Sequence, residues 1–188
     1  HKTIKRLESV RDLIPFANQR YIRINGRNCR NPYFYKENFR KKVKELLCDT
    51  NEFALIHGDC TFSNTMVDSD LNIIFLDPRG YFGFQELYGD EYYDWAKVYY
   101  SINGDYDQFN NKHFELLIKE NEIILNISTN GWKDLGDYFL SRIKDCNPMK
   151  IKFLHAIIWL SLTTYAWEDY DSICGAFYNG TYLLEEVL

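Results

Sequence analysis

No two of the five cysteines (Cys29, Cys48, Cys60, Cys146 and Cys174) form a C-x-x-C pair, and their number is odd. That excludes a disulfide framework and a cysteine zinc site and fits a reducing compartment, so a cytoplasmic protein is expected. No signal-peptide pattern opens the chain. No apolar run reaches the roughly 20 residues that a membrane helix needs. The longest, Phe153 to Trp167, contains His155, Ser161, Thr163 and Thr164 and follows Lys150 and Lys152; it reads as a central buried helix. Acids are scarce at the start. Residues 1–44 hold 13 of the 22 Lys and Arg but only Glu8, Asp12 and Glu37, in a chain of net charge −5. This basic segment either offers a face to an anionic partner or nucleotide, or docks on the acidic remainder. No nucleic-acid fold signature accompanies the charges. Neither nucleic acid nor membrane is expected as a partner.

What is abundant is aromatic: 15 Tyr and 13 Phe among 188 residues predict an aromatic core or pocket. With 46% hydrophobic residues, disorder is excluded and one domain with a real core is expected. Lys2 to Ile14 reads as an amphipathic helix stopped by Pro15. Tyr21 to Ile24 reads as extended, and Asn25-Gly26 as a turn. Phe34, Phe39, Val43, Leu46 and Leu47 recur at helical spacing. Phe114 to Ile118 and Ile123 to Ile127 alternate around Lys119-Glu120-Asn121-Glu122, predicting a hairpin, with a helix pair as the competing reading. Asn147-Pro148 is an N-cap followed by proline at the first helical position. A last helix is expected from about Ser172 onward.

The chemistry concentrates between His57 and Gly80. His57-Gly58-Asp59 ends an apolar run, Asn64 follows Asp59 by five positions, and Asp77 follows Asn64 by thirteen. Thr65-Met66-Val67, a turn at Asp68-Ser69-Asp70 and Asn72 to Leu76 predict a hairpin between the last two. H-x-D-x-x-x-x-N with a downstream Asp is the arrangement that kinase-type phosphoryl transfer uses. Magnesium prefers oxygen ligands and takes one or two carboxylates plus phosphate oxygens and water. Asp77 and Asn64 would supply a carboxylate and an amide oxygen. Asp59, free of metal, would orient the attacking hydroxyl and accept its proton. His57 would hold the loop through a backbone hydrogen bond, and Gly58 would permit a conformation that larger residues resist. Cys60 reads as a space-filling thiol. Pro78 is expected to push Asp77 into an extended backbone.

These residues resemble the aminoglycoside phosphotransferase and choline kinase family, the small-molecule branch of the protein-kinase-like fold. The likeness runs from about Phe34 to Tyr100 and includes Gly89-Asp90 and Asp94. It implies Asp59 as base, Asn64 and Asp77 as magnesium ligands, and Asp94 as a structural carboxylate bracing the loop. ATP and Mg2+ are the implied cofactors, and a small-molecule alcohol is the acceptor: an amino alcohol such as choline, a sugar or an aminoglycoside. Asp77-Pro78-Arg79-Gly80-Tyr81-Phe82-Gly83 also resembles phosphotransferase lobes of surface-polysaccharide enzymes. Pro78 departs from the Phe-Gly of protein kinases, which counts against a mobile activation segment.

No G-x-G-x-x-G occurs. The expectation is therefore an α+β, mostly helical single domain over 1–188, equivalent to the C-terminal lobe alone, with a short hairpin around the catalytic loop. Leading helices would fill 1–50, the catalytic and metal loops 51–84, and a helical acceptor-binding part 85–188. The N-terminal nucleotide lobe would belong to an upstream part of the parent protein. Arg79, Asp90, Trp159, Trp167 and Glu168 are candidates for the acceptor pocket; for Trp159 a core role competes, and for Arg79 an ion pair. The rival to catalysis is a non-catalytic binding or scaffold module on the same fold.

Overall fold

The computed structural model describes residues 2–48, 53–80, 86–165 and 169–188. The chain is α+β. It opens with helix α1 (Lys2–Val10), strands β1 (Tyr21–Ile24) and β2 (Arg27–Arg30), and helix α2 (Lys36–Leu47). Four short strands follow: β3 (Ala54–Leu55), β4 (Thr65–Val67), β5 (Ile73–Phe75) and β6 (Tyr88–Gly89). Then come α3 (Glu91–Ile102), α4 (Tyr106–Asn110), β7 (Phe114–Ile118), β8 (Ile123–Ile127), α5 (Gly136–Arg142), α6 (Pro148–Leu162) and α7 (Tyr170–Glu185). No helix among the described residues is long and apolar enough to cross a membrane.

Two hairpins, β1–β2 and β7–β8, join into one sheet of order β2-β1-β8-β7. Asn25 and Gly26 turn the first with φ of 46° and 80°, the left-handed pair that a two-residue hairpin turn requires. β1 meets β8 in parallel, through Ile24 opposite Ile123, and Asn25 seals the join by exchanging side-chain hydrogen bonds with the backbone of Leu125.

Helix α6 is apolar around most of its circumference, and most of it is buried. Asn147 caps it by accepting from the Lys150 amide, and Pro148 occupies its first turn. One face joins α1, α7 and the sheet in a cluster with Phe153, Leu160, Ile24, Ile123 and Phe177. The other joins α3, α4 and α5 through Ile151, Trp159, Tyr99, Tyr100 and Phe109. Gly180 on α7 lets it lie against α6: a Cβ there would stand 2.8 Å from the Leu160 amide nitrogen.

The basic start of the chain divides its attention. Arg23, Arg27 and Arg30 pair with Glu122, Glu186 and Glu185 on the acidic remainder. Lys2 and Arg6 instead reach a cleft between α1, α3 and the end of α6.

Candidate active site

Helix α3 sets the floor of the site. Asp90 caps it, accepting from the Tyr92 amide, and pairs with Lys150 of α6 at 2.7 Å. Four residues on, the Asp94 carboxylate takes two backbone donors of the preceding loop, the amides of His57 and Gly58, each at 2.7 Å. Buried donors need such partners, and here they fasten the loop to the helix. The Cys60 thiol donates to the Asp94 carbonyl, and burial pushes its pKa up to about 12, which makes it inert filling. Gly58 has φ of 79°, and a Cβ would stand 2.9 Å from that of Arg79. The loop is pinned further along by Ser101, which accepts from the Phe62 amide, and by Asp107, which accepts from the Ser63 amide.

Asp59 is held on several sides. Its amide donates to His57 Nδ1 at 3.2 Å, so the ring proton belongs on Nε2. That Nε2 is buried and has no hydrogen-bond partner among the described residues. Asn64 Nδ2 donates to the Asp59 carbonyl at 2.9 Å and to its carboxylate at 3.3 Å. Lys97 Nζ lies 2.8 Å from Asp59 Oδ1. The lysine side chain is 12% exposed and the aspartate 42%, so the pair sits where protein meets solvent. Lys97 also stands 5.2 Å from the Tyr100 ring centre, above the ring. The sequence reading missed it. Its signal was position: three residues after Asp94, it shares a helix face with it.

Asn64 and Asp77 stand at the two feet of the β4–β5 hairpin, in which Met66 faces Ile74. The Leu76 amide donates to the Asn64 carbonyl at 2.8 Å, so the adjoining Asp77 is kept beside Asn64. The turn between the strands is closed by Asp68, whose carboxylate accepts from Asp70 and Asn72. Bonds from Asn72 hold the Asp68 carboxyl below its usual range. The expected extended backbone at Asp77 is corrected: its φ is 53°, in the left-handed region. Proline chiefly disfavours the right-handed helical region for its predecessor, and aspartate tolerates the left-handed one better than most residues. The Arg79 amide then donates to the His57 carbonyl at 2.7 Å, returning the chain to the loop.

Asp59, Asp77, Arg79 and Lys97 line one cleft of about 770 Å³, a volume suited to a small molecule. His57, Asn64 and Asp94 are not in its wall; each bonds Asp59 or its loop. Asp90 and Trp159 are not in it either. Asp90 is the helix cap, and Trp159 is fully buried with its indole donating to His155 Nε2 at 3.0 Å. Trp167 and Glu168 lie outside the described residues. Arg79 meets two phenols, Tyr93 and Tyr165, at 3.1 and 3.2 Å.

Among the described residues no three His, Cys, Asp or Glu side chains converge to cage an ion. The donor set does fit magnesium, which takes few protein ligands and fills its shell from water and phosphate. Asp77 offers a carboxylate. Asn64 commits its nitrogen to Asp59, which leaves the amide oxygen for a hard cation. Compared with protein-family models, curated proteins and solved structures, the chain matches none.

Proposed function

We propose that this chain carries the catalytic loop and acceptor side of an ATP- and magnesium-dependent phosphotransferase acting on a small-molecule hydroxyl, on a lobe of the protein-kinase-like kind. The observation that carries the reading is Asp59. It stands at the wall of a cleft, oriented by Asn64 and Lys97, on a loop strapped to Asp94, with Asp77 in the same wall. Asp59 orients the acceptor hydroxyl and takes its proton as the oxygen attacks. Asn64 and Asp77 would hold Mg2+ bound to ATP, which supplies the phosphoryl group and neutralises its charge. His57 and Asp94 fix the loop so that little reorganisation is left to the reacting state.

Incubating the chain joined to the nucleotide lobe that the reading requires with labelled ATP, magnesium and a panel of sugars, amino alcohols and aminoglycosides tests this; the chain by itself should turn over poorly. Asp59→Asn should lower transfer by about 10²–10⁴, the scale of losing a positioned base. A second reading is a non-catalytic binding module, favoured by the Lys97 contact that already occupies Asp59 Oδ1. Transfer that survives Asp59→Asn unchanged, or no transfer to any acceptor, removes the first reading.

A further inference from the structure

The sheet β2-β1-β8-β7 ends in two edges, and they are finished differently. At β2 the Arg30 amide donates to Glu185 of α7 at 2.8 Å, and Arg27 and Arg30 pair with Glu186 and Glu185. At β7 no described residue takes the outward groups. Two ladder bonds, from the Ser128 amide to the His113 carbonyl and from the Lys119 amide to the Glu122 carbonyl, fix which way each residue faces. Bonding alternates along an antiparallel pair. Glu115, Leu117 and Lys119 therefore bond towards β8, and Leu116 and Ile118 turn their N–H and C=O to the free edge. Such a row invites a further strand unless proline, a bulge or a cover blunts it. The run Phe114 to Ile118 has no proline and pairs with β8 without a bulge. Leu117 is 53% exposed and Ile118 39%.

The side chains decide what fits. Glu115, Leu117 and Lys119 alternate onto one face of the sheet, and all three are exposed. Neither Glu115 nor Lys119 pairs with another charge among the described residues. A second β7 laid antiparallel along this edge must bond through Leu116 and Ile118, so the two-fold axis passes through a residue. Through Glu115, the axis sets two carboxylates face to face. Through Leu116, it sets each Glu115 against a leucine. Through Leu117, it sets Glu115 of each copy opposite Lys119 of the other and Leu117 opposite Leu117. Those pairs then occupy the positions where side chains approach most closely, while Leu116 and Ile118 exchange main-chain bonds. Leu117 already faces Ile124 within its own hairpin, so the axis joins two apolar pairs into one row.

We propose that β7 is a self-docking edge: two copies of this chain pair antiparallel through it, on the register centred on Leu117, and their sheets become one. The edge is complementary to itself, charge to charge and apolar to apolar, which is what an isologous contact requires. The inference is independent of the phosphotransferase reading, because no residue from Phe114 to Ile118 lines the cleft.

Sedimentation velocity across a concentration series tests it. A contact smaller than the standard interface should give a dimer with a Kd of about 10–100 μM. Glu115→Lys sets lysine against lysine twice in each dimer, and Lys119→Glu sets glutamate against glutamate. Each variant alone should weaken the dimer about 10-fold at low salt. Both positions are exposed, so unchanged far-ultraviolet circular dichroism is expected of each. Mixed in equal amounts, the two variants oppose unlike charges again and should form a heterodimer of wild-type affinity. A wild-type chain that stays monomeric overturns the proposal and leaves the edge to a strand of another protein. A dimer indifferent to both reversals places the interface elsewhere and overturns it too. Weakening by each reversal without rescue on mixing refutes the register. An open series of larger species also overturns it, since pairing through β7 closes at two.

Discussion

On the phosphotransferase reading, Lys97 is the residue on which the chemistry of Asp59 turns. A lysine 2.8 Å from one carboxylate oxygen fixes which oxygen remains to meet a hydroxyl. Its ammonium stands 5.2 and 6.0 Å from the ring centres of Tyr100 and Tyr106, which are themselves stacked 4.2 Å apart. Lys97→Met keeps the length of the side chain and removes the charge. Transfer should fall by about 10²-fold, comparable to losing one preorganised electrostatic contact, with kcat affected more than the acceptor KM. An unchanged kcat would reduce Lys97 to a surface ion pair. The neighbouring Asp94 differs: its carboxylate is engaged by the His57 and Gly58 amides, so its part is to hold the backbone.

At the scale of elements, α6 and α7 are the pair on which the rest leans. Their approach depends on Gly180, where a Cβ would collide with Leu160. Gly180→Ala should lower stability by about 1–3 kcal/mol, as overpacking does, despite alanine's better helix propensity, and a lowered denaturant midpoint would show it. Elements were the most legible part of the sequence. The Asn147-Pro148 cap, the Asn25-Gly26 turn and the β7–β8 alternation all carry local signals, and the structure has each of them. Strand β2 was not foreseen, because Arg27-Asn28-Cys29-Arg30 buries only Cys29 and reads as a polar loop. Nor was the parallel join of β1 to β8, which pairs residues about a hundred positions apart; no local pattern encodes such a partner. The same limit applies at the cleft. Asp59, Asn64 and Asp77 announce themselves by spacing, whereas Arg6 meets Tyr165 only after α1 has docked on α6.

The whole molecule should be acid-sensitive well above the carboxylate range. His155 is buried among Tyr99, Tyr100 and Trp159. Burial first, and the charge of Lys133 second, lower its pKa to about 3. The folded state keeps it neutral, while the unfolded chain binds a proton below pH about 6.5. Stability from this group is complete above that pH and declines towards pH 3, at up to about 1.4 kcal/mol per unit. Asp169 and Glu185 are held below their ordinary values, chiefly by Lys112 for the former and by Arg30 acting against burial for the latter. Their contribution is lost only at lower pH. Thermal unfolding of wild type and His155→Gln between pH 7 and 5 reads out the His155 share by difference. The Tm should fall over that span, and His155→Gln should flatten the fall.

The β4–β5 hairpin leaves Met66, Val67, Ile73 and Phe75 exposed, whereas Asp59 is tied through α3 to the buried α6. The two halves of the site accordingly keep different time. On the phosphotransferase reading, the base would sit on a loop tied to the buried core, and the two cation ligands on an exposed hairpin of the kind that opens locally. The apparent grip on a cation would then be set by the fraction of time the hairpin spends closed. A partner resting on those exposed side chains would tighten metal binding without touching the metal.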